Sequence, residues 1–214
     1  MTRANRVQPD GTFLAVPARG AFMGNRGCLH DDAGVIRRRH QGKLWITCTL
    51  REKPGRGAVP QAAPGRYTPL FFMDEAVACA AGHRPCAECR RAVYNDFRAA
   101  WGRAFGAVAS AAEMDRVLHA ARLDPVTRQP RRHEAEARSL PAGCFILWND
   151  TPHLLRAAEM RPYAVTGYGT PLPRPEGAVT VLTPAPLVAV MAAGWQPCLS
   201  AEADRPNWGK APSP

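Results

Sequence analysis

Phe71-Phe72-Met73-Asp74-Glu75-Ala76-Val77-Ala78-Cys79-Ala80-Ala81-Gly82-His83-Arg84-Pro85-Cys86-Ala87-Glu88-Cys89 sets the frame for the residues around it. Asp74 is placed to cap a short helix, Glu75 to Ala81, and Gly82 ends that helix in the left-handed conformation. The Arg84-Pro85 turn then delivers Cys86-x-x-Cys89. Two thiolates two residues apart can share one tetrahedral ion, because a tight turn brings both sulfurs to one side and aims its N–H groups at them. A redox pair would open a helix after a core strand of a βαβ unit, whereas this pair follows a helix that has just been capped. Buried cysteines with no common role are the third reading. One such pair is half a metal site, so the remaining ligands must come from elsewhere.

Downstream, Val93, Phe97, Trp101 or Ala100, and Ala104 recur at helical spacing, predicting an amphipathic helix from Arg90 to Phe105. A second helix follows over about Ala111 to Arg122. Residues 124–141 are polar and irregular and read as a boundary. Beyond them come short strands: Cys144 to Trp148, a turn at Asn149-Asp150, His153 to Arg156, Pro162 to Thr166 and Ala178 to Leu182. Thr183-Pro184 then opens a helix that Gly194 ends. Upstream, Thr12 to Val16 is a short strand, Gly24 to Asp32 a glycine-punctuated loop, and Leu44 to Leu50 a strand carrying Cys48. Lys53 to Pro69, rich in Gly and Pro, is a connection.

The fold class expected from this pattern is α+β. It has an N-terminal zinc-stabilised, basic module over 1–107, a helical middle of helix and linker over 108–140, a small β-rich part over 141–200, and a flexible tail over 201–214. Two hundred and fourteen residues at 46% hydrophobic and 21% charged exclude wholesale disorder. No apolar run approaches the roughly 20 residues that span a bilayer, and the opening MTRANRVQPDG lacks a secretory core, so a cytoplasmic protein without a membrane partner is expected. In a reducing compartment, seven cysteines point to metal or chemistry before disulfides. Cys79, Cys144 and Cys198 read as core residues. Cys28, Cys48, Cys86 and Cys89 are the expected ligands of Zn2+, with His30 as the substitute for Cys48.

Phe71-Phe72, Asp74-Glu75-Ala76 and Ala80-Ala81-Gly82-His83-Arg84-Pro85-Cys86-Ala87-Glu88-Cys89 resemble the second half of the metal-binding domain of Ada-type DNA alkylation-repair proteins, over about a tenth of the chain. In that family the segment supplies the last two of four zinc cysteines, the domain binds DNA, and one zinc-bound thiolate accepts a methyl group from a phosphotriester. The resemblance therefore implies zinc, DNA in preference to RNA, and a link to DNA repair. The first cysteine pair departs from the family's close C-x3-C: 19 residues lie between Cys28 and Cys48, and 37 between Cys48 and Cys86. The Pro-Cys-His-Arg motif of the methylguanine methyltransferase partner is absent. The rest of the chain is similar to bacterial proteins of unassigned function that carry the MGNRGCLHD and AGHRPCAECRR strings.

Of the net charge of +10, +9 falls in residues 1–107, with 17 basic against 8 acidic residues, and 25 of the 28 basic residues are Arg. Arg37, Arg38, Arg39, Lys43, Arg84, Arg90 and Arg91 would form a phosphate-binding face if the ends of the zinc site meet in space; separately they are solvated charge runs. Asp115-x-x-x-His119-x-x-Arg122 lies on one helix face, where a salt-bridged helix surface is the plain reading. With His30, Asp31 and His133, Asp115 and His119 are the candidate acid/base residues of a competing metal-dependent hydrolase or nuclease. The leading expectation is a zinc-binding, nucleic-acid-associated protein. A structural-zinc interaction module without enzymatic activity is the remaining alternative.

Overall fold

Arg84-Pro85, the turn ahead of the cysteine pair, is itself a strand, and its pairing places the site. The computed structural model describes residues 3–50 and 65–200. The proposed tail over 201–214 and most of the connection from Lys53 lie outside the described residues. The first sheet comprises β1 (Arg6–Val7), β2 (Phe13–Leu14), β3 (Phe22–Asn25), β4 (Ile46–Cys48), β5 (Leu70–Phe72) and β6 (Arg84–Pro85), in the order β2-β1-β5-β3-β4-β6. β4 and β6 run parallel with Ile46 opposite Arg84 and Thr47 opposite Pro85. The next residue on each chain is a cysteine, Cys48 and Cys86.

The second sheet takes β7 (His133–Glu136), β8 (Phe145–Trp148), β9 (Thr151–Leu155), β10 (Glu159–Ala164), β11 (Gly167–Tyr168), β12 (Leu172–Pro173) and β13 (Ala178–Val181). Its order is β11-β10-β9-β8-β13-β7, with β12 beside β10. Four α-helices accompany the sheets among the described residues: α1 (Glu75–Ala80), α2 (Arg91–Phe105), α3 (Ala111–Arg122) and α4 (Ala185–Ala192).

The expectation of an α+β chain with a helical middle is overturned. The described residues build two sheets of six and seven strands against only four short helices, and α2 and α3 do not stand as a separate unit. Phe97 and Trp101 of α2, Met114 and Leu118 of α3, and Leu187 and Val190 of α4 share one core with Ile146, Leu155 and Val181 of the second sheet. The misreading has a physical source: strands of two to four residues are too short to display a period of two. Residues 133–136, read as linker, form an edge strand on β13. Gly24, read as a loop marker, lies inside β3 because the Phe72 ring packs where its Cβ would stand. Among the described residues no helix is long and apolar enough to cross a membrane.

α1 lies in the second core, where Ala76, Val77 and Ala80 meet Leu70 and Phe72 of one sheet and Phe145 and Leu154 of the other. Its start is built as the sequence predicts: the Asp74 carboxylate accepts from the Val77 N–H at 3.0 Å, and Gly82 follows the helix at φ +85°. Tyr168 donates its hydroxyl to the other Asp74 oxygen at 2.8 Å. Burial pushes the Asp74 carboxyl up to about 6 from 3.8, against the pull of these donors. A raised folded-state value means that stability from this group is fully present below about pH 4 and is lost as pH rises through about 6, in all about 2–3 kcal/mol. Asp74→Asn keeps a capping oxygen and removes the charge, so it should stabilise the protein by about 2 kcal/mol near neutral pH and by much less at about pH 4. Chemical denaturation at the two pH values checks this, and a gain that is larger in acid would contradict it.

Candidate metal centre

Cys48 reaches the site from the end of β4, Cys86 from the residue after β6, and Cys89 from the turn that leads into α2. Their sulfurs all lie within 4.8 Å of one another. In a tetrahedral site with metal–sulfur bonds of about 2.3 Å, sulfurs stand about 3.8 Å apart, so this trio is spaced to share one ion. Soft thiolates of this kind select zinc, Cu(I) or iron–sulfur clusters. Among the described residues this is the group of histidine, cysteine and carboxylate side chains that can hold a metal ion.

Backbone groups hold the three sulfurs in place. Cys86 donates its N–H to the Thr47 carbonyl at 3.0 Å, extending the parallel ladder by one residue. The Glu88 N–H points at the Cys86 sulfur at 3.4 Å, and the N–H of Cys89 also favours the charged form. The Cys48 thiol donating to Cys86, with these amides behind it, lowers Cys86 to about 5. The same interaction raises Cys48, and burial raises Cys89. Of the three, Cys86 is the sulfur whose charged form its neighbours favour. Tyr67 stands close enough for the charges of Cys48 and Cys89 to add to the effect of burial in raising its hydroxyl.

The turn is clamped at both ends by buried ion pairs. Arg84, two residues before Cys86, donates Nε and Nη2 to the two oxygens of Asp115 on α3, at 2.9 and 2.8 Å. Arg90, directly after Cys89, holds Glu75 at the start of α1 through Nη1 and, at 2.9 Å, through Nη2. Glu75 also accepts the Cys198 N–H at 2.8 Å. All four side chains are almost wholly removed from solvent.

The expected ligand Cys28 is not brought to this trio. It sits in the loop after β3, its N–H donating to Gln41 and its thiol to the His30 carbonyl. His30, the expected substitute for Cys48, faces Thr68 through Nδ1. The five acid/base candidates do not form a group either. Asp31 is paired with Arg37 in the loop, and Asp115 is committed to Arg84. His119 takes an Arg122 N–H at Nδ1, where burial and then Arg122 lower it to about 4. His133 lies on the edge strand of the second sheet and is lowered by burial. Of the proposed phosphate contacts, Arg37, Arg38, Arg39, Lys43 and Arg91 are exposed, whereas Arg84 and Arg90 are buried structural residues and are not open to a phosphate. Sequence reasoning missed this because both arginines flank the cysteines, where a basic rim looks the same as a buried clamp.

Compared with known proteins, the chain matches no family model, no curated protein and no solved structure.

Replacing Cys48, Cys86 or Cys89 singly by Ser should cut the metal content of the purified protein by more than half, while Cys28→Ser leaves it unchanged. Elemental analysis decides, and loss of metal in Cys28→Ser would redraw the site. Asp115→Asn leaves Arg84 buried with half a partner and should cost about 3–5 kcal/mol in denaturant unfolding. A loss below about 1 kcal/mol would show the clamp to be dispensable.

Proposed function

We propose that this is a zinc-binding protein that docks on nucleic acid, DNA in preference to RNA, with Cys48, Cys86 and Cys89 holding the ion and the 37–43 loop meeting the phosphate backbone. The observation that carries the reading is the three sulfurs within 4.8 Å, supplied by a strand end and a tight turn. Zinc with three thiolates and one further ligand supports the fold around it and keeps its sulfurs deprotonated at neutral pH. The resemblance of 71–89 to the Ada-type segment supports zinc over other soft metals and DNA over RNA.

Arg37, Arg38, Arg39 and Lys43 form an exposed run, offset in part by Asp31, which pairs with Arg37, and by Asp32. A surface pair of this kind is weak and yields readily to a phosphate. Such a run supplies affinity without sequence preference, through counterion release. The hydrolase alternative needs His30, Asp31, Asp115, His119 and His133 around one reacting atom, and the geometry gives it no such cluster.

Purified protein should carry about one zinc per chain. DNA affinity should fall with salt, with a log–log slope of about −3 to −4 for four backbone contacts. The Arg37→Ala/Arg38→Ala/Lys43→Ala variant should reduce that slope by roughly 3 and weaken all sequences alike. Binding that ignores salt, or an unchanged slope in the variant, would sink the docking reading. Less than about half an equivalent of zinc in the wild type would sink the metal reading.

A further inference from the structure

Four arginines among the described residues are more than nine-tenths buried: Arg26, Arg84, Arg90 and Arg122. Arg84 and Arg90 each grip a carboxylate with two nitrogens. Arg26 and Arg122 grip none. Arg26 donates Nε to His83 Nε2 at 3.1 Å and Nη2 to the Ala81 carbonyl at 3.0 Å. Arg122 donates Nη1 to the Gly82 carbonyl at 2.9 Å and Nη2 to the Lys43 carbonyl and His119. Its Nε is buried without a hydrogen-bond partner.

Both guanidiniums lie against Trp45, at 4.0 and 3.9 Å from the ring centroid, so two like charges share one indole. Burial first, and then the charges of Arg122 and Arg39, disfavour the charged form of Arg26. The carboxylate nearest in effect to Arg122 is Asp115, already taken by Arg84. Buried charges are paired or bound to an ion, because burial without a counterion is strongly unfavourable. These two have only neutral partners.

They line one cavity of about 20 Å³, room for a single water-sized group. Arg39, Arg131 and Arg132 also line it, and its one carboxylate is Asp10. Asp10 accepts from the Thr12 N–H and hydroxyl, and its charge acts on Arg132. Of the residues that line the cavity, Arg39 and Arg131 are exposed to solvent.

We propose that this cavity binds a phosphoryl group, as inorganic phosphate or a phosphomonoester. One anionic oxygen enters beside the Arg122 Nε and Arg26, and the remaining oxygens stay at the mouth with Arg39 and Arg131. A dianion matches a cavity in which cations outnumber carboxylates, and planar guanidiniums suit the tetrahedral oxyanion. The neutral His83, accepting from Arg26 and facing the Ala78 carbonyl through Nδ1, holds the Arg26 fork in place. The site is separate from the cysteine trio and, although it shares Arg39 with the exposed run, stands without the nucleic-acid reading.

The test is thermal unfolding and calorimetric titration of the metal-loaded protein with inorganic phosphate against chloride at equal ionic strength. Phosphate should raise Tm saturably and bind one per chain, and chloride should not. Arg122→Met should abolish the shift. Because that variant can fail to fold, Arg39→Ala/Arg131→Ala, confined to exposed side chains, should weaken phosphate by roughly tenfold or more. The Arg37→Ala/Arg38→Ala/Lys43→Ala variant should keep the full phosphate response, which separates this pocket from the docking loop. A phosphate effect no larger than that of chloride, or one equal in wild type and Arg39→Ala/Arg131→Ala, overturns the proposal. Oligonucleotides with a 5′-phosphate and a 5′-hydroxyl identify the source: competition by the phosphorylated strand alone assigns the pocket to a nucleic-acid end, and competition by neither, with phosphate bound, assigns it to a small free anion.

Discussion

Two bidentate arginine–carboxylate pairs, Arg84 with Asp115 and Arg90 with Glu75, hold the Cys86–Cys89 turn in the molecule. Each pair reaches a different element. The first anchors β6 to α3, and the second joins the start of α2 to the start of α1 and, through Glu75, to the chain at Cys198. Neither pair need add net stability over a well-packed apolar equivalent, because desolvating two ions roughly cancels their attraction. What they supply is direction: a guanidinium fork accepts a carboxylate in few geometries, so the turn between two forks has little freedom to rotate its sulfurs away from Cys48.

The sequence was most legible where residues act locally. Asp74 brackets α1 through its capping carboxylate and Gly82 through its positive φ, and α3 occupies Ala111–Arg122 because Ser110 and Glu113 close a capping box at its start. Two of the three cysteines of the metal trio were legible for the same reason, since the Cys86-x-x-Cys89 spacing is a local constraint. Cys48 was chosen from its strand, and the pairing of β4 with β6 is what brings it in. Cys28 has an equally permissive loop in sequence and lies elsewhere, because its backbone is bound to Gln41. Nothing in a linear pattern separates those two cases.

The two-sheet architecture was illegible for a related reason. Strands such as Arg6–Val7 and Gly167–Tyr168 are defined by their partners, and two residues carry no period of their own. Charge misled in the opposite direction. The excess of arginine in the first half reads as one basic surface, yet it includes an exposed run at 37–39, the two neutralised clamps Arg84 and Arg90, and Arg26, buried against Trp45 opposite Arg122 of the second half. Burial and the identity of the partner give chemically identical side chains three different roles.

The parallel register of β4 and β6 also bears on the order of events as the chain folds. Cys86 and Cys89 are neighbours in any conformation, so a metal ion can visit them in the unfolded chain. The third sulfur arrives only when the 37 residues between Cys48 and Cys86 have closed into a loop and the two strands have aligned. Closing such a loop costs entropy that grows only slowly with its length, and an ion joining its two ends behaves as a reversible cross-link. Full coordination is therefore a late event that reports completion of the first sheet, and the chain that binds metal tightly is the chain that has already folded there.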